Sequence, residues 1–346
     1  MKAFAGKWKL FPSLTPPDWG YWESLYPNGM GASTFSAPAW QRLMCEEETA
    51  LGQLMFLQGR SSDGRILSLP VFVQTNRWRR YEINVRPVAY SVMPIEGGVI
   101  DDVAVGTILG AAESLFTAGF TWWLPPWSSF RQSTLQDRAW QRCLKCSSVD
   151  TYLITLRGSV EKHLIEEVTE TQRYQVRSSY RRGLEVLSNP PADVVNEYYQ
   201  LYTRVWENRG WTGRQFSARF FHGVATQLQQ GGELLVMRLN GRVVGGGVLL
   251  FDRYAVHYFQ GTTDRDTKGV FPHSVLIDMA LRRAESLGVT RVNLGGVDYG
   301  NIGLIHFKMF WGARSTPVPI VMFHYGRGRA PERLAWFAGK GQKYVQ

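Results

Sequence analysis

Cysteine is scarce. The chain carries three in 346 residues, Cys45, Cys143 and Cys146. An odd, sparse set excludes a secreted disulfide scaffold. No apolar run approaches the roughly 18 residues of a spanning helix, and Val243–Phe251 is strand-sized and broken by glycine. Met1–Lys9 has charge but no apolar stretch, so it is not read as a secretory signal, and the expected compartment is the cytoplasm. The six histidines are scattered singly, with no His-Glu-x-x-His and no Gly-x-Ser-x-Gly. Cys143-Leu-Lys-Cys146 is half of a zinc motif whose other half is missing. Metal and serine-hydrolase chemistry are therefore not expected. Acidic residues are also short: 29 Asp and Glu face 39 Lys and Arg, a formal charge of +10. That excess favours an anionic partner such as nucleic acid, a phosphorylated substrate or a membrane surface. Hydrophobic residues make up 44% and charged residues 20%, which excludes a disordered chain.

What is present falls into two similar series. In the first half, Gln53–Gln58 and Arg65–Gln74 flank the turn Asp63-Gly64. Strand character near Tyr81–Tyr90, a helix over Asp102–Ala118 and a strand at Phe120–Leu124 follow. In the second half, Glu233–Leu239 and Arg242–Phe251 flank Asn240-Gly241. Tyr254–Gln260, a helix over His273–Leu287 and a strand at Arg291–Leu294 follow. Asp-Gly and Asn-Gly between apolar runs are strong hairpin signals. Ala-Glu-Ser-Leu recurs at Ala112–Leu115 and Ala284–Leu287, each time just before a glycine stop. The reading is two copies of a mixed α/β unit, residues 1–150 and 151–346. Between the copies, residues 159–230 read as helical, with Ser159 as an N-cap and Gly183 as a stop.

Several motifs carry chemistry. Arg173, Arg177 and Arg181 stand at successive i, i+4 steps on one helix face, followed by Arg182. Phosphate would relieve their mutual repulsion; the alternative is neutralisation by Glu166, Glu167 or Glu170. Gly245-Gly246-Gly247 lies mid-strand and marks either a bulge or close approach by a ligand. Leu294-Gly295-Gly296-Val297-Asp298 closes a strand, a common ligand position in α/β folds. In Gly303–Gly312, Leu304, Phe307 and Trp311 form a buried stripe with Lys308 at its margin, where a lysine ordinarily snorkels to solvent.

Taken in order, Arg177–Gly183, Asn240–Gly247, His257–Gly261, Leu294-Gly295-Gly296 and Gly303-Leu304 through Phe307-Lys308 to Trp311-Gly312 resemble the FemAB-like branch of the GNAT acyltransferase superfamily. The resemblance is clear over roughly residues 150–320. It implies an α/β protein of tandem GNAT-like domains, each a mixed β-sheet flanked by helices. It also implies an acyltransferase, since the best-known members move amino acids from aminoacyl-tRNA onto peptidoglycan precursors. GNAT proteins that use acyl-CoA normally carry a Gln/Arg-x-x-Gly-x-Gly/Ala loop whose amides hold the pyrophosphate. Here the junction reads Arg265–His273, without the second and third glycines and with Pro272 removing an amide. The donor expected is therefore aminoacyl-tRNA, with no separate cofactor. By the resemblance, Lys308 supplies positive charge at the developing oxyanion. Arg177 and Arg181 hold phosphates, Tyr258, Gly261, Gly295 and Gly296 line the substrate cleft, and Asp298 orients or deprotonates the amine. No long helical hairpin of the kind some members carry for tRNA is visible. Two alternatives stand beside this: an acyl-CoA-dependent N-acyltransferase in polysaccharide or secondary-metabolite tailoring, and a non-catalytic module that binds RNA or another anion.

Overall fold

The computed structural model describes residues 9–12, 19–24, 33–47, 53–60, 66–75, 81–84, 104–109, 119–127, 144–210, 215–228, 231–264, 266–297 and 300–324. The chain divides into two compact units. The first takes in the described residues up to Val149 together with those from Pro317 to His324; the second spans Asp150–Thr316. The last strand thus leaves the C-terminal domain drawn from sequence and joins the first unit.

In the first unit, β1 (Lys9–Pro12), β2 (Gln53–Arg60), β3 (Ile66–Thr75) and β4 (Tyr81–Asn84) run antiparallel in that order. β5 (Gly119–Trp123) lies parallel to β4 and antiparallel to the strand Arg314–His324. Helices α1 (Trp19–Ser24) and α2 (Pro38–Glu47) supply Trp22, Trp40, Leu43 and Met44 to a core with Leu57, Leu69, Val71 and Trp122. Of the expected helix Asp102–Ala118, residues 104–109 are described and helical. The Asp63-Gly64 turn and Cys143 lie outside the described residues.

The second unit repeats this order. β6 (Leu144–Thr155) enters it and pairs antiparallel with β11 (Arg291–Gly296). β11 is parallel to β10 (Val256–Thr263), and β9 (Arg242–Phe251), β8 (Gly232–Leu239) and β7 (Glu185–Ser188) complete the sheet antiparallel. The β8–β9 hairpin turns on Asn240 and Gly241, with φ of 51° and 76°. Two successive positive φ angles are what a two-residue hairpin matched to strand twist requires.

Five helices precede or link these strands: α3 (Val160–Glu166), α4 (Glu170–Arg181), α5 (Ala192–Asn208), α6 (Ala218–Gln227) and α7 (Pro272–Ser286). A sixth, α8 (Ile302–Met309), follows β11. Ser159 caps α3 by accepting from Lys162 N–H, as its position predicted.

The glycine triplet settles how the helices sit. A Cβ on Gly246 would reach the Leu235 carbonyl at 2.5 Å and the Tyr198 ring at 2.7 Å; one on Gly245 would reach Pro272 at 2.6 Å. Alternate residues of a strand face opposite sides, so α5 packs on one face of β9 and α7 on the other. The triplet is there for close packing by helices, not for a ligand. The core of this unit gathers Ile154, Val244, Leu249, Val256, Leu276, Leu281, Val292 and Trp311.

Candidate active site where two parallel strands part

β10 and β11 pair in parallel at Val256↔Val292 and His257↔Asn293 only. Beyond that point β10 stays on β9 as far as Thr263, while β11 follows β6 to Gly296↔Thr151. The two strands therefore part after His257 and Asn293. Tyr258 is the first residue past the last shared pair, and a bulge between Tyr258 and Gln260 re-aims the strand there.

Four elements surround the gap. From β10, the Tyr258 hydroxyl meets Nδ1 of His273, in the first turn of α7, at 3.1 Å. The same hydroxyl lies over Gly261, where a Cβ would overlap it. From α8, the Phe307 ring stands edge-on to His273 with centroids 6.5 Å apart. The next residue, Lys308, is 6% exposed and points at β11. Its ammonium donates to the carbonyls of Leu294 (2.6 Å), Gly295 (3.1 Å) and Gly296 (3.0 Å) and lies 5.6 Å from the centre of the Tyr152 ring. Burial pushes the Lys308 ammonium down to about 7 and raises the Tyr258 hydroxyl above the ordinary phenol range.

The expectation that Lys308 snorkels at a helix margin is overturned. Three peptide carbonyls at the open end of β11 take its three N–H groups and offset part of the cost of turning the charge inward. Those acceptors come from residues 12 to 14 positions earlier in the chain, and no local pattern announces them.

The turn that Lys308 grips is also held from within. Asp252, His257 and Asn293 are buried. Asp252 Oδ2 meets His257 Nε2 at 2.9 Å, and Asn293 Nδ2 faces His257 Nδ1 at 3.4 Å. Asn293 Oδ1 accepts from Thr151 Oγ1 (2.6 Å) and from Gly295 N–H (2.9 Å). Asp252 and Asn293 thus hold the His257 ring from its two nitrogens. Gly295, at φ 75°, takes the left-handed conformation that presents its amide to Asn293 and its carbonyl to Lys308.

The arginine helix comes out differently from its phosphate reading. Glu170, one turn before the basic run, binds both Arg173 (2.6 Å) and Arg177, and they hold its carboxyl below the usual range. Arg173 also donates to the carbonyls of Leu164, Ile165 and Val168, closing the C-terminal end of α3. Arg181 lies over the Tyr174 ring at 5.9 Å. Among the described residues, no contact joins Arg177 or Arg181 to the gap between β10 and β11. The structure brings together Tyr258, Gly261, Gly295, Gly296 and Lys308; Asp298 lies outside the described residues. Sequence reasoning passed over His273, His257 and Asn293. A lone histidine carries no spacing signal, and each of these gains its meaning from a partner on another element.

The comparisons enter here. Residues 170–309 match the family model described as acetyltransferase (GNAT) domain. A crystal structure of FemX superposes with a TM-score of 0.60 at 12% identity, covering 90% of this chain and 96% of that one. Over residues 170–309 the chain carries a GNAT-type domain, and its fold is shared with FemX. The C-terminal domain of a putative lysylphosphatidylglycerol synthetase from Agrobacterium fabrum gives 0.56 at 13% identity, covering 93% and 95%. L-PGS from Bacillus licheniformis gives 0.50 at 12%, covering 85% and 93%. No curated protein matches the chain. The parting strands of the second unit lie within the segment that matches the GNAT domain. No described helix is long and apolar enough to cross a membrane.

Proposed function

We propose that the protein moves an aminoacyl group from aminoacyl-tRNA to an acceptor amine, a peptidoglycan precursor or another small amine, forming an amide. One observation carries the choice of donor. The loop before α7, where a nucleotide pyrophosphate would seek free backbone amides, is occupied by α4. Ser178 Oγ donates to the Gly269 carbonyl (3.1 Å), Phe271 N–H donates to Ser179 Oγ (2.8 Å), and the Arg182 guanidinium covers Gly269. Pro272 contributes no amide. The Phe271 amide and the Gly269 carbonyl of this loop are thus already bonded to α4. The charge of +10 suits a polyanionic donor, and two of the similar structures carry names that describe making lysylphosphatidylglycerol or its abbreviation.

An aminoacyl ester is already activated, so alignment and a fixed positive field do most of the work. Lys308 supplies that field and fixes the Gly295-Gly296 turn. Its N–H groups are committed to carbonyls, so it acts through charge and position rather than as an oxyanion donor. Tyr258 and Gly261 form the opposite wall, and Asp298 orients or deprotonates the amine. Arg177 and Arg181, which among the described residues make no contact with the gap, meet phosphates on a more distant part of the tRNA or acceptor, Arg177 in competition with its Glu170 ion pair. The acyl-CoA reading has one observation in its favour, the description of the matching family model as an acetyltransferase domain.

The test is binding of bulk charged and uncharged tRNA under salt titration, beside thermal unfolding with acetyl-CoA. Salt-sensitive binding that prefers charged tRNA, with no acetyl-CoA shift, is expected. A clear acetyl-CoA shift without tRNA preference overturns the proposal, because a ligand that binds the folded state raises its melting temperature.

A further inference from the structure

Amide formation releases a proton from the attacking amine, and among the described residues none of the roles above receives it. We infer that Tyr258 and His273 form the relay that does. The inference rests on the acyl-transfer reading but not on the identity of the donor.

Four features place the pair. Tyr258 is the first residue beyond the last parallel pair, so it stands where β10 and β11 open. The bulge at this position turns its side chain back over Gly261, and only glycine leaves room for the hydroxyl there. His273 sits in the first turn of a 15-residue helix and meets that hydroxyl through Nδ1 at 3.1 Å. Phe307, beside Lys308, lies edge-on to the imidazole and fixes the ring plane.

The step balances as follows. The amine nitrogen forms a bond to the acyl carbon while the bond from that carbon to the terminal ribose oxygen breaks. The amine proton passes to the Tyr258 oxygen as the Tyr258 proton moves to Nδ1 of His273. The departing ribose oxygen recovers a proton along the same path, and both side chains return to their starting states. Tyr258 touches the reacting amine; His273 acts through Tyr258.

The groups facing the pair are few. Arg209 bears electrostatically on Tyr258. From α4, Gln172 and Gln175 bind the neighbouring Ser274 and carry no charge. From α8 comes Phe307, and Lys308 on the same helix is turned to the β11 carbonyls.

The experiment compares wild type, Tyr258→Phe, His273→Asn and the double variant from pH 6 to 9. The probes are bulk charged tRNA and acetyl-CoA as donors and a lysine-bearing peptide as acceptor. Asn keeps an acceptor near the Nδ1 position but takes no proton. Each single variant is expected to lose about 100-fold in kcat with little change in KM. The double variant falls no further than the weaker single, because the two act as one unit. Transfer from charged tRNA within a few-fold of wild type in both single variants overturns the relay and leaves the function intact. Transfer from acetyl-CoA alone overturns the donor assignment, and the same variants then judge the relay on that donor. A His273 imidazole resonance whose titration is unmoved by Tyr258→Phe overturns the pairing itself, whatever the activity.

Discussion

Lys308 makes a quantitative forecast about stability and pH. Its ammonium is buried and lowered from 10.5 to about 7, whereas in the unfolded chain it titrates near the ordinary value. Between those two limits the unfolded chain binds one more proton than the native protein, so stability rises with pH across that window. Each tenfold change in proton affinity is worth ~1.4 kcal/mol, which sets a ceiling of ~5 kcal/mol between pH 7 and 10.5. The three carbonyls and the Tyr152 ring favour the charged form, so the measured gain lies below that ceiling. Lys308→Met keeps the aliphatic bulk and removes the titration. At pH 6 the variant escapes the burial penalty but leaves three carbonyls without a donor, and the two effects oppose. At pH 9 wild type has shed the penalty while its neutral amine still donates two bonds, so the variant's deficit is largest there. Urea unfolding followed by fluorescence, run on both proteins at half-unit steps of pH, reads the difference directly and cancels every other titrating group. A gap that widens by about 2 kcal/mol or more from pH 7 to 9 is the expected result. Parallel curves would refute the inward-facing, depressed lysine.

Three further changes test the surrounding structure. Asn293→Ala removes the acceptor for Gly295 N–H and Thr151 Oγ1; a loss of about 1–3 kcal/mol in urea unfolding is expected, with kcat falling because the Gly295 turn loosens. Ser179→Ala strips the cap from Phe271 N–H and should cost about 0.5–2 kcal/mol; a stabilised variant would contradict the cap. Gly246→Ala drives a methyl against the Leu235 carbonyl and the Tyr198 ring, with about 1–3 kcal/mol of destabilisation expected in thermal unfolding.

Much of the framework is local and was legible. The Asn240-Gly241 hairpin, the Ser159 cap and the Gly183 and Gly288 stops each depend on backbone geometry that only a few residue types tolerate. The repeated order of hairpin, helix and strand follows from hydrophobic periodicity and turn residues, while the GNAT-like reading rests on the resemblance of the motifs. The Phe-Lys and Gly-Gly segments were marked as one constellation, and Lys308 does bind the Gly295-Gly296 carbonyls.

What the tertiary structure alone decided is where charge goes. Of the three acids that could answer the basic run, Glu170 does so, on the same helix. Lys308 turns inward because carbonyls left free at the end of β11 accept its protons, and Ser179 reaches across to cap α7. His273 gains its partner only when α7 packs on β10. Periodicity and turn chemistry are properties of neighbours in sequence, so the order of elements could be read from the chain. The protonation and orientation of a side chain depend on desolvation and on acceptors brought from distant segments, and these exist only once the strands and helices have packed.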